Sequence, residues 1–199
     1  MVSGPLKRTS EKMEMPSDRA LVRGFKGGDP EALLAIYQRY KTYLLSVAMA
    51  TVCDLDRAED AVHDVFVSLA QKRREFRFRG NLKACLAVAV VNRTRDLLRR
   101  QSIRTAASLD PDAPIISPSA VPEQTAMLNE QCRKLAVALG HLPAVQREVL
   151  VLRHKAGLPL REIAKVQQTG ISTVHARYRE GLKTLRAMMN GELDDDTGR

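Results

Sequence analysis

The sequence predicts an all-α protein, built as two small helical domains joined by a flexible proline-rich linker, the second a helix-turn-helix domain. Three observations carry that prediction. Apolar residues recur at helical spacing over long stretches, while β-branched residues rarely alternate with polar ones as a half-buried strand requires. Hydrophobic residues make up 44% of the chain and aromatic ones 4%, with no Trp, which suits cores of packed aliphatic helices. Residues 102–124 (SIRTAASLDPDAPIISPSAVPEQ) hold Pro111, Pro114, Pro118 and Pro122 among Ser and Asp, a composition that breaks helices and spaces domains.

Taken in order, residues 1–17 are mostly polar, with Gly4-Pro5 and Pro16 as breakers, and read as a flexible lead. The first helical domain spans 18–101. Gly27-Gly28 forms a turn leading into a helix, and Asp29-Pro30-Glu31 supplies its N-cap, a proline at the first helical position and a first-turn acid. Leu33, Leu34, Tyr37, Tyr40, Leu44, Leu45 and Ala48 form one broad apolar face of that helix. A second helix runs from about Asp56 to Gln71, with Ala61, Val62, Val65, Phe66 and Leu69 inward. A third runs from about Leu82 to Arg100, with Leu82, Leu86, Ala89, Val90, Leu97 and Leu98 inward or partly so. After the linker, residues 125–190 are helical again, and 191–199 (GELDDDTGR) form an acidic tail.

The segment Leu160 to Leu185 has the build of a DNA-reading helix-turn-helix. A short helix turns Leu160, Ile163 and Ala164 inward, a turn follows around Gln168 to Gly170, and a second helix carries Val174, Tyr178, Leu182 and Leu185 on one stripe. Its other face presents Ser172, Thr173, His175, Arg177, Arg179 and Lys183, all able to meet phosphates or base edges. On this segment alone, an ordinary surface helix with solvated basic residues remains open.

Charge and chemistry narrow the function. A net charge of +9 favours polyanionic partners (DNA, RNA or an anionic membrane surface), although a soluble protein can simply be basic. No window approaches the roughly 18 apolar residues of a membrane span, so no insertion is expected. The opening residues lack the apolar core of a secretory signal. Cys53, Cys85 and Cys132 are scattered, without ligand spacing, and read as reduced core-filling thiols of a cytoplasmic protein. His63, His141, His154 and His175 stand apart from any cluster a metal or nucleophile needs, and no phosphate-cradling glycine loop occurs. No enzyme activity, metal or cofactor is expected.

The first domain is divided by charge. Asp54, Asp56, Glu59, Asp60 and Asp64 lie close together with only Arg57 opposing them, and His63 stands among them. A solvated helix with first-turn acids accounts for part of that patch without a partner. Then follow KRREFRFRG and VNRTRDLLRR, strongly basic. Arginine's planar fork suits phosphates and guanine edges. The alternation of Phe76 and Phe78 with Arg77 and Arg79 suits unstacked bases, while each Phe taken singly is better explained as core.

Two blocks together resemble bacterial sigma factors of the extracytoplasmic-function group. The first is DPEALLAIYQRYKTYLLSVA, DRAEDAVHDVFVSLAQ and FRGNLKACLAVAVVNRTRDLLRR, and the second LGHLPAVQREVLVLRHKAGLPLREIAKVQQTGISTVHARYREGLKTLR. The resemblance covers roughly residues 18–101 and 127–188, in the group's two-domain order. It implies a promoter-specificity subunit whose partners are the clamp coiled coil and flap of core RNA polymerase and promoter DNA, duplex and melted. It also implies that Asp56, Glu59, Asp60, His63 and Asp64 dock on polymerase. Arg79, Gly80, Asn81, Asn92, Arg93, Arg95, Asp96, Arg99 and Arg100 would read the minus-ten element. Ser172, Thr173, His175, Ala176, Arg177, Arg179 and Lys183 would read the minus-thirty-five element. The group commonly uses an anti-sigma protein, which makes one a candidate partner. Two departures stand out: Gln167-Gln168 where the group commonly has Leu-Gly at the bend, and Cys85 where it often has an aromatic residue. Two rival readings stay open, a stand-alone helix-turn-helix regulator of duplex DNA and a helical adaptor that binds only protein.

Overall fold

A computed structural model describes residues 16–76, 80–107 and 130–190. The expected lead up to residue 15, the linker from 108 onward, the tail, and Arg77, Phe78 and Arg79 lie outside the described residues. The described residues form eight helices and no strand: α1 (Asp18–Gly27), α2 (Pro30–Val52), α3 (Leu55–Gln71), α4 (Leu82–Ala107), α5 (Glu130–His141), α6 (Ala144–His154), α7 (Leu160–Val166) and α8 (Ile171–Asn190).

Local chemistry sets where the early helices start. Ser17 Oγ accepts from Ala20 N at 3.3 Å, Asp29 Oδ1 from Glu31 N at 2.9 Å and Asp54 Oδ1 from Arg57 N at 3.0 Å. Each satisfies an N–H that the first helical turn leaves without a partner. Asn81 Oδ1 does the same for α4, accepting from Ala84 N at 3.1 Å. Gly28, with φ of 98°, closes α1 in the left-handed region that favours glycine.

Helix α2 is the axis of the first domain, with α1, α3 and α4 packed around it. It buries Ile36, Tyr40, Leu44, Val47, Ala48 and Val52. Leu34, expected on the inward face, is instead 46% exposed. It sits two residues before Ile36, roughly 200° around the helix, and so points to solvent. All five residues expected inward on α3 are buried, and Leu82, Leu86 and Val90 of α4 are fully so. Phe76 packs edge-on against Phe25, ring centroids 6.0 Å apart, as its core reading anticipated. Asp18 ties α1 to α2 by accepting from Arg39 Nη1 at 2.9 Å and from the Tyr40 hydroxyl at 2.7 Å. Burial, reinforced by that hydrogen bond to Asp18, pushes the Tyr40 hydroxyl up to about 12.

In the second domain α6 is central, with α7 and α8 against it. Gly181 of α8 is buried against Leu150 and Gln146, where an added Cβ would meet Leu150 Cδ1 at 3.3 Å and press on that side chain. Helix α6 also packs on α2, so the two domains share one continuous core in which Val149 and Leu152 join Leu44 and Val47. Polar contacts edge this junction. The Tyr43 hydroxyl donates to Lys155 O at 3.0 Å, Lys155 Nζ to Ser46 Oγ at 3.1 Å, and Arg147 Nη1 to Cys53 Sγ at 3.1 Å.

One ion pair is buried at the junction. Glu148, its side chain 5% exposed, is held by the guanidinium of Arg95, whose Nε donates to Oε2 at 3.1 Å. Arg95 Nη1 also donates to Val166 O at 3.3 Å, tying α4 to the end of α7. The two partners are unequal, because Arg95 keeps 40% exposure and can rehydrate while Glu148 cannot. Arg95→Ala therefore strands a buried carboxylate and should cost about 3 kcal/mol, against about 1 kcal/mol for Glu148→Gln. Adding Glu148→Gln to Arg95→Ala should recover most of the larger loss. Urea unfolding of the three variants measures this, and equal losses for the two single changes would contradict it.

Candidate nucleic-acid and polymerase interface

Helix α3 sorts its residues cleanly. Ala58, Ala61, Val62, Val65, Phe66 and Leu69 are buried, and the opposite face exposes Asp56, Glu59, Asp60 and His63. These four fall at helical spacing on one side, so the acids form a ridge facing solvent. Asp64 lies at the border of that ridge. It accepts from Arg93 Nε of α4 at 2.8 Å, with 40% and 27% exposure for the two side chains. The acidic and arginine faces are thereby linked by an ion pair worth about 1 kcal/mol at such exposure.

Helix α4 turns Leu82, Leu86, Ala87, Val90, Val91 and Thr94 into the core. Asn92, Asp96, Arg99 and Arg100 lie along its exposed side. The expected minus-ten residues are not all placed alike. Asn92, Asp96, Arg99 and Arg100 are exposed, Arg93 and Arg95 are held by Asp64 and Glu148, and Asn81 caps α4 with its side chain. Gly80 is exposed with φ of 89°, and Arg79 lies outside the described residues. Between α3 and α4 runs a groove of about 680 Å³ that brings together Asp64, Val67, Ser68, Asn92, Arg93 and Asp96. Cys85 lies on its wall, and burial pushes its thiol up, so it acts as a neutral wall group.

In the second domain Ile163, Ala164 and Val174 anchor α7 and α8 to the core, and Tyr178 stacks on His154 with centroids 5.8 Å apart. That seating leaves Ser172, Thr173, His175, Ala176, Arg179 and Lys183 exposed along α8. Arg177 is half-buried, and its Nη1 donates to Gln167 Oε1 at 2.8 Å. Gln167 Nε2 in turn donates to Val145 O at 3.1 Å, so one amide joins α8 to the start of α6.

The Gln167-Gln168 departure is resolved by backbone geometry. Gln168 itself takes the left-handed conformation, φ 50°, and Gly170 does not have positive φ. A sharp turn between the two helices is kept without a glycine at the bend, at the steric cost a Cβ meets there. Sequence reasoning missed two residues of this site. Glu148, which holds Arg95, reads locally as a polar position on an amphipathic helix, and Gln167, which holds Arg177, reads only as a departure at the bend.

Known families match both halves. Sigma-70 region 2 matches residues 36–103 and Sigma-70 region 4 matches residues 138–187, together more than half of the chain. The ECF RNA polymerase sigma factor SigK of Mycobacterium tuberculosis is 23% identical over 175 residues, covering 84% of this chain and 90% of that protein. The ECF RNA polymerase sigma factor SigX of Bacillus subtilis is 26% identical over 173 residues, covering 83% and 89%. Two solved structures share the fold. One is the sigma factor RpoE with the anti-sigma factor NepR from Bartonella quintana, with a TM-score of 0.63 and 24% identity over 80% of this chain and 98% of that one. The other is CnrH with the cytosolic domain of CnrY, with a TM-score of 0.60 and 23% identity over 88% and 98%.

Regions 2 and 4, in this order on two packed helical domains, define a sigma-70-type initiation factor that directs RNA polymerase to promoters. The chain belongs to the extracytoplasmic-function sigma factors of that family.

Gln168→Gly should relieve the left-handed strain and stabilise the protein by about 0.5–1 kcal/mol, since the gain exceeds the added backbone entropy of the unfolded chain. A higher urea midpoint at unchanged slope is the expected reading. A lower midpoint would show that Gln168 is not confined to that conformation.

Proposed function

We propose that this sigma factor divides its work among three surfaces. The α3 ridge of Asp56, Glu59, Asp60 and His63, with Asp64 at its border, docks on the clamp coiled coil of core polymerase, and region 4 engages the flap. Gly80, Asn81, Asn92, Arg93, Arg95, Asp96, Arg99 and Arg100, together with Arg79, contact the melted minus-ten element. Ser172, Thr173, His175, Ala176, Arg177, Arg179 and Lys183 enter the major groove at the minus-thirty-five element. Residues 18–101 and 125–190 are the two working domains in this reading, joined by the linker. The role needs no catalysis or cofactor of the chain's own, and it places the protein in the bacterial cytoplasm. Among the described residues no helix is long and apolar enough to cross a membrane, which is compatible with that placement.

The observation that carries the assignment is the α3–α4 groove, where Asn92, Arg93 and Asp96 of one helix meet Asp64 of the other. Its lining mixes apolar Val67, Leu86 and Ala89 with polar Ser68, Asn92 and Asp96, the combination that accepts an unstacked base and pairs with its edge. Extruding a base costs a few kcal/mol, which the groove and the surrounding arginines offset. Arg95 enters this role by leaving Glu148, and that carboxylate regains water only if α4 and α6 part, so reading melted DNA with Arg95 favours their separation. The similar RpoE structure holds an anti-sigma factor, and a protein of that kind is a proposed restraint on this chain.

Adding the purified chain to core polymerase and sequencing the transcripts tests the reading. Discrete start sites preceded by shared upstream elements are expected, and starts identical to those of core alone would overturn it. In the same system Arg179→Ala should weaken upstream duplex binding by about 1–3 kcal/mol if Arg179 reads a base, or lower the salt slope by about one if it holds a phosphate. Unchanged affinity and unchanged slope would remove Arg179 from the interface.

A further inference from the structure

We infer that the outer face of α1 is a binding groove for the phosphates of single-stranded DNA, a site formed by Arg19, Arg23 and Lys26. The inference rests on the promoter-opening role proposed above and extends it to a helix that role leaves idle.

Helix α1 is sharply two-sided. Leu21, Val22 and Phe25 are buried, whereas Arg19, Arg23 and Lys26 are all exposed. Their spacing of four and three residues stacks the three cations on one side of the helix. They rim a groove of about 450 Å³ whose other lining residues, among those described, are Val22 and Gly80. That volume falls in the roughly 300–1,000 Å³ range of ligand clefts.

Among the described residues the cations in this groove meet no anion: none of Arg19, Arg23 and Lys26 forms an ion pair with a carboxylate. The one acid of the helix, Asp18, is turned away to Arg39 and Tyr40 of α2. Arg19 stands in the first turn, where the helix dipole disfavours a positive charge, so helix stability does not explain it. Lys26, in the last turn, is explained by the dipole alone, but it shares the groove with two that are not. Arg73 lies against Gly28 at the C-terminal end of α1 and continues the basic surface toward the end of α3.

Position and charge choose the ligand. Gly80 immediately precedes Asn81, the cap of α4, and α4 carries the residues assigned to the melted element. A strand leaving that end of α4 meets the α1 groove next. Three exposed cations rim the groove, and Val22 beneath them is buried, so the surface offered to a ligand is cationic rather than apolar. The place of the groove beside Gly80 and the α4 cap, on the side assigned to the melted element, favours a single strand over a duplex. The flexible ends of the three side chains can follow a phosphate backbone of any sequence, so the site adds affinity without adding base preference.

The test uses the full chain assembled with core polymerase and fluorescent promoter fragments, one with a single-stranded extension through the opened region and one blunt duplex ending upstream of it. The variant Arg19→Gln/Arg23→Gln/Lys26→Gln keeps three good helix formers. It should bind the extended probe several-fold more weakly, with the slope of log K against log salt lower by about two, at roughly 0.7 per phosphate on a single strand. Its binding to the blunt duplex should match wild type. Arg23→Gln alone should lower the slope by about 0.7, and Arg19→Lys/Arg23→Lys should keep the wild-type slope. Wild-type slope in the triple variant overturns the inference and leaves the promoter role standing. Equal loss on both probes also overturns it, by assigning the cations to duplex phosphates. Failure of the wild-type holoenzyme to bind either probe overturns the promoter role itself and this inference with it.

Discussion

The carboxylate of Glu148, buried between α4 and α6 and answered by Arg95, is the interaction on which the arrangement of the two domains depends. A carboxylate with 5% exposure has lost most of its hydration, and only a close cation with good hydrogen bonds offsets that. Arg95 supplies two nitrogens to it and a third contact to Val166 O at the end of α7. One guanidinium thus fixes α4, α6 and α7 together, while Val149 and Leu152 of α6 complete the apolar core begun by α2. The orientation of α8 follows, because Gly181 lets it lie close on Leu150 of that same α6.

This arrangement sets two uses of one arginine against each other. Against Glu148, Arg95 holds the domains in contact. In the proposed promoter role it faces the phosphates or bases of a melted strand. A carboxylate and a phosphate are both anionic and both suit the fork of a guanidinium, so exchange onto a phosphate conserves charge pairing, whereas exchange onto a neutral base does not. What the exchange does not conserve is the burial of Glu148, which water must rehydrate as α6 leaves α4. The Arg93–Asp64 pair poses the same choice at the α3–α4 groove, but with both groups partly hydrated already, the exchange there costs less.

Much of this was legible in the sequence, for identifiable reasons. The inward faces of α3 and of the α7–α8 unit follow 3.6-residue periodicity, and the buried Val62, Phe66, Ile163 and Val174 are where that period puts them. The exposed residues of α8 follow from the same pattern by exclusion. Helix α1 was not singled out, although Leu21, Val22 and Phe25 fall at helical spacing. Ten residues are short for a helix, and the Gly27-Gly28 turn reads only as leading into the next one. Helix α4 runs on to Ala107, beyond the expected end near Arg100, since SIRTAA contains nothing that stops a helix. Leu34 was misplaced because apolar identity alone does not fix which side of α2 is covered. The junction itself was invisible. Local pattern says that Glu148 is polar on a helix, and only tertiary packing says that an α4 arginine, 53 residues away, will cover it. The left-handed Gln168 was hinted at by its place in a bend that resembles a glycine position.

The most direct test is the distance between the two domains, read by energy transfer between labels at exposed positions 38 on α2 and 186 on α8, neither of which is assigned to polymerase or DNA. In the free chain the account predicts the short separation of packed domains, and in the complex with core polymerase and promoter DNA a much longer one. A separation that stays the same on forming that complex would contradict the claim that Arg95 leaves Glu148 to serve DNA.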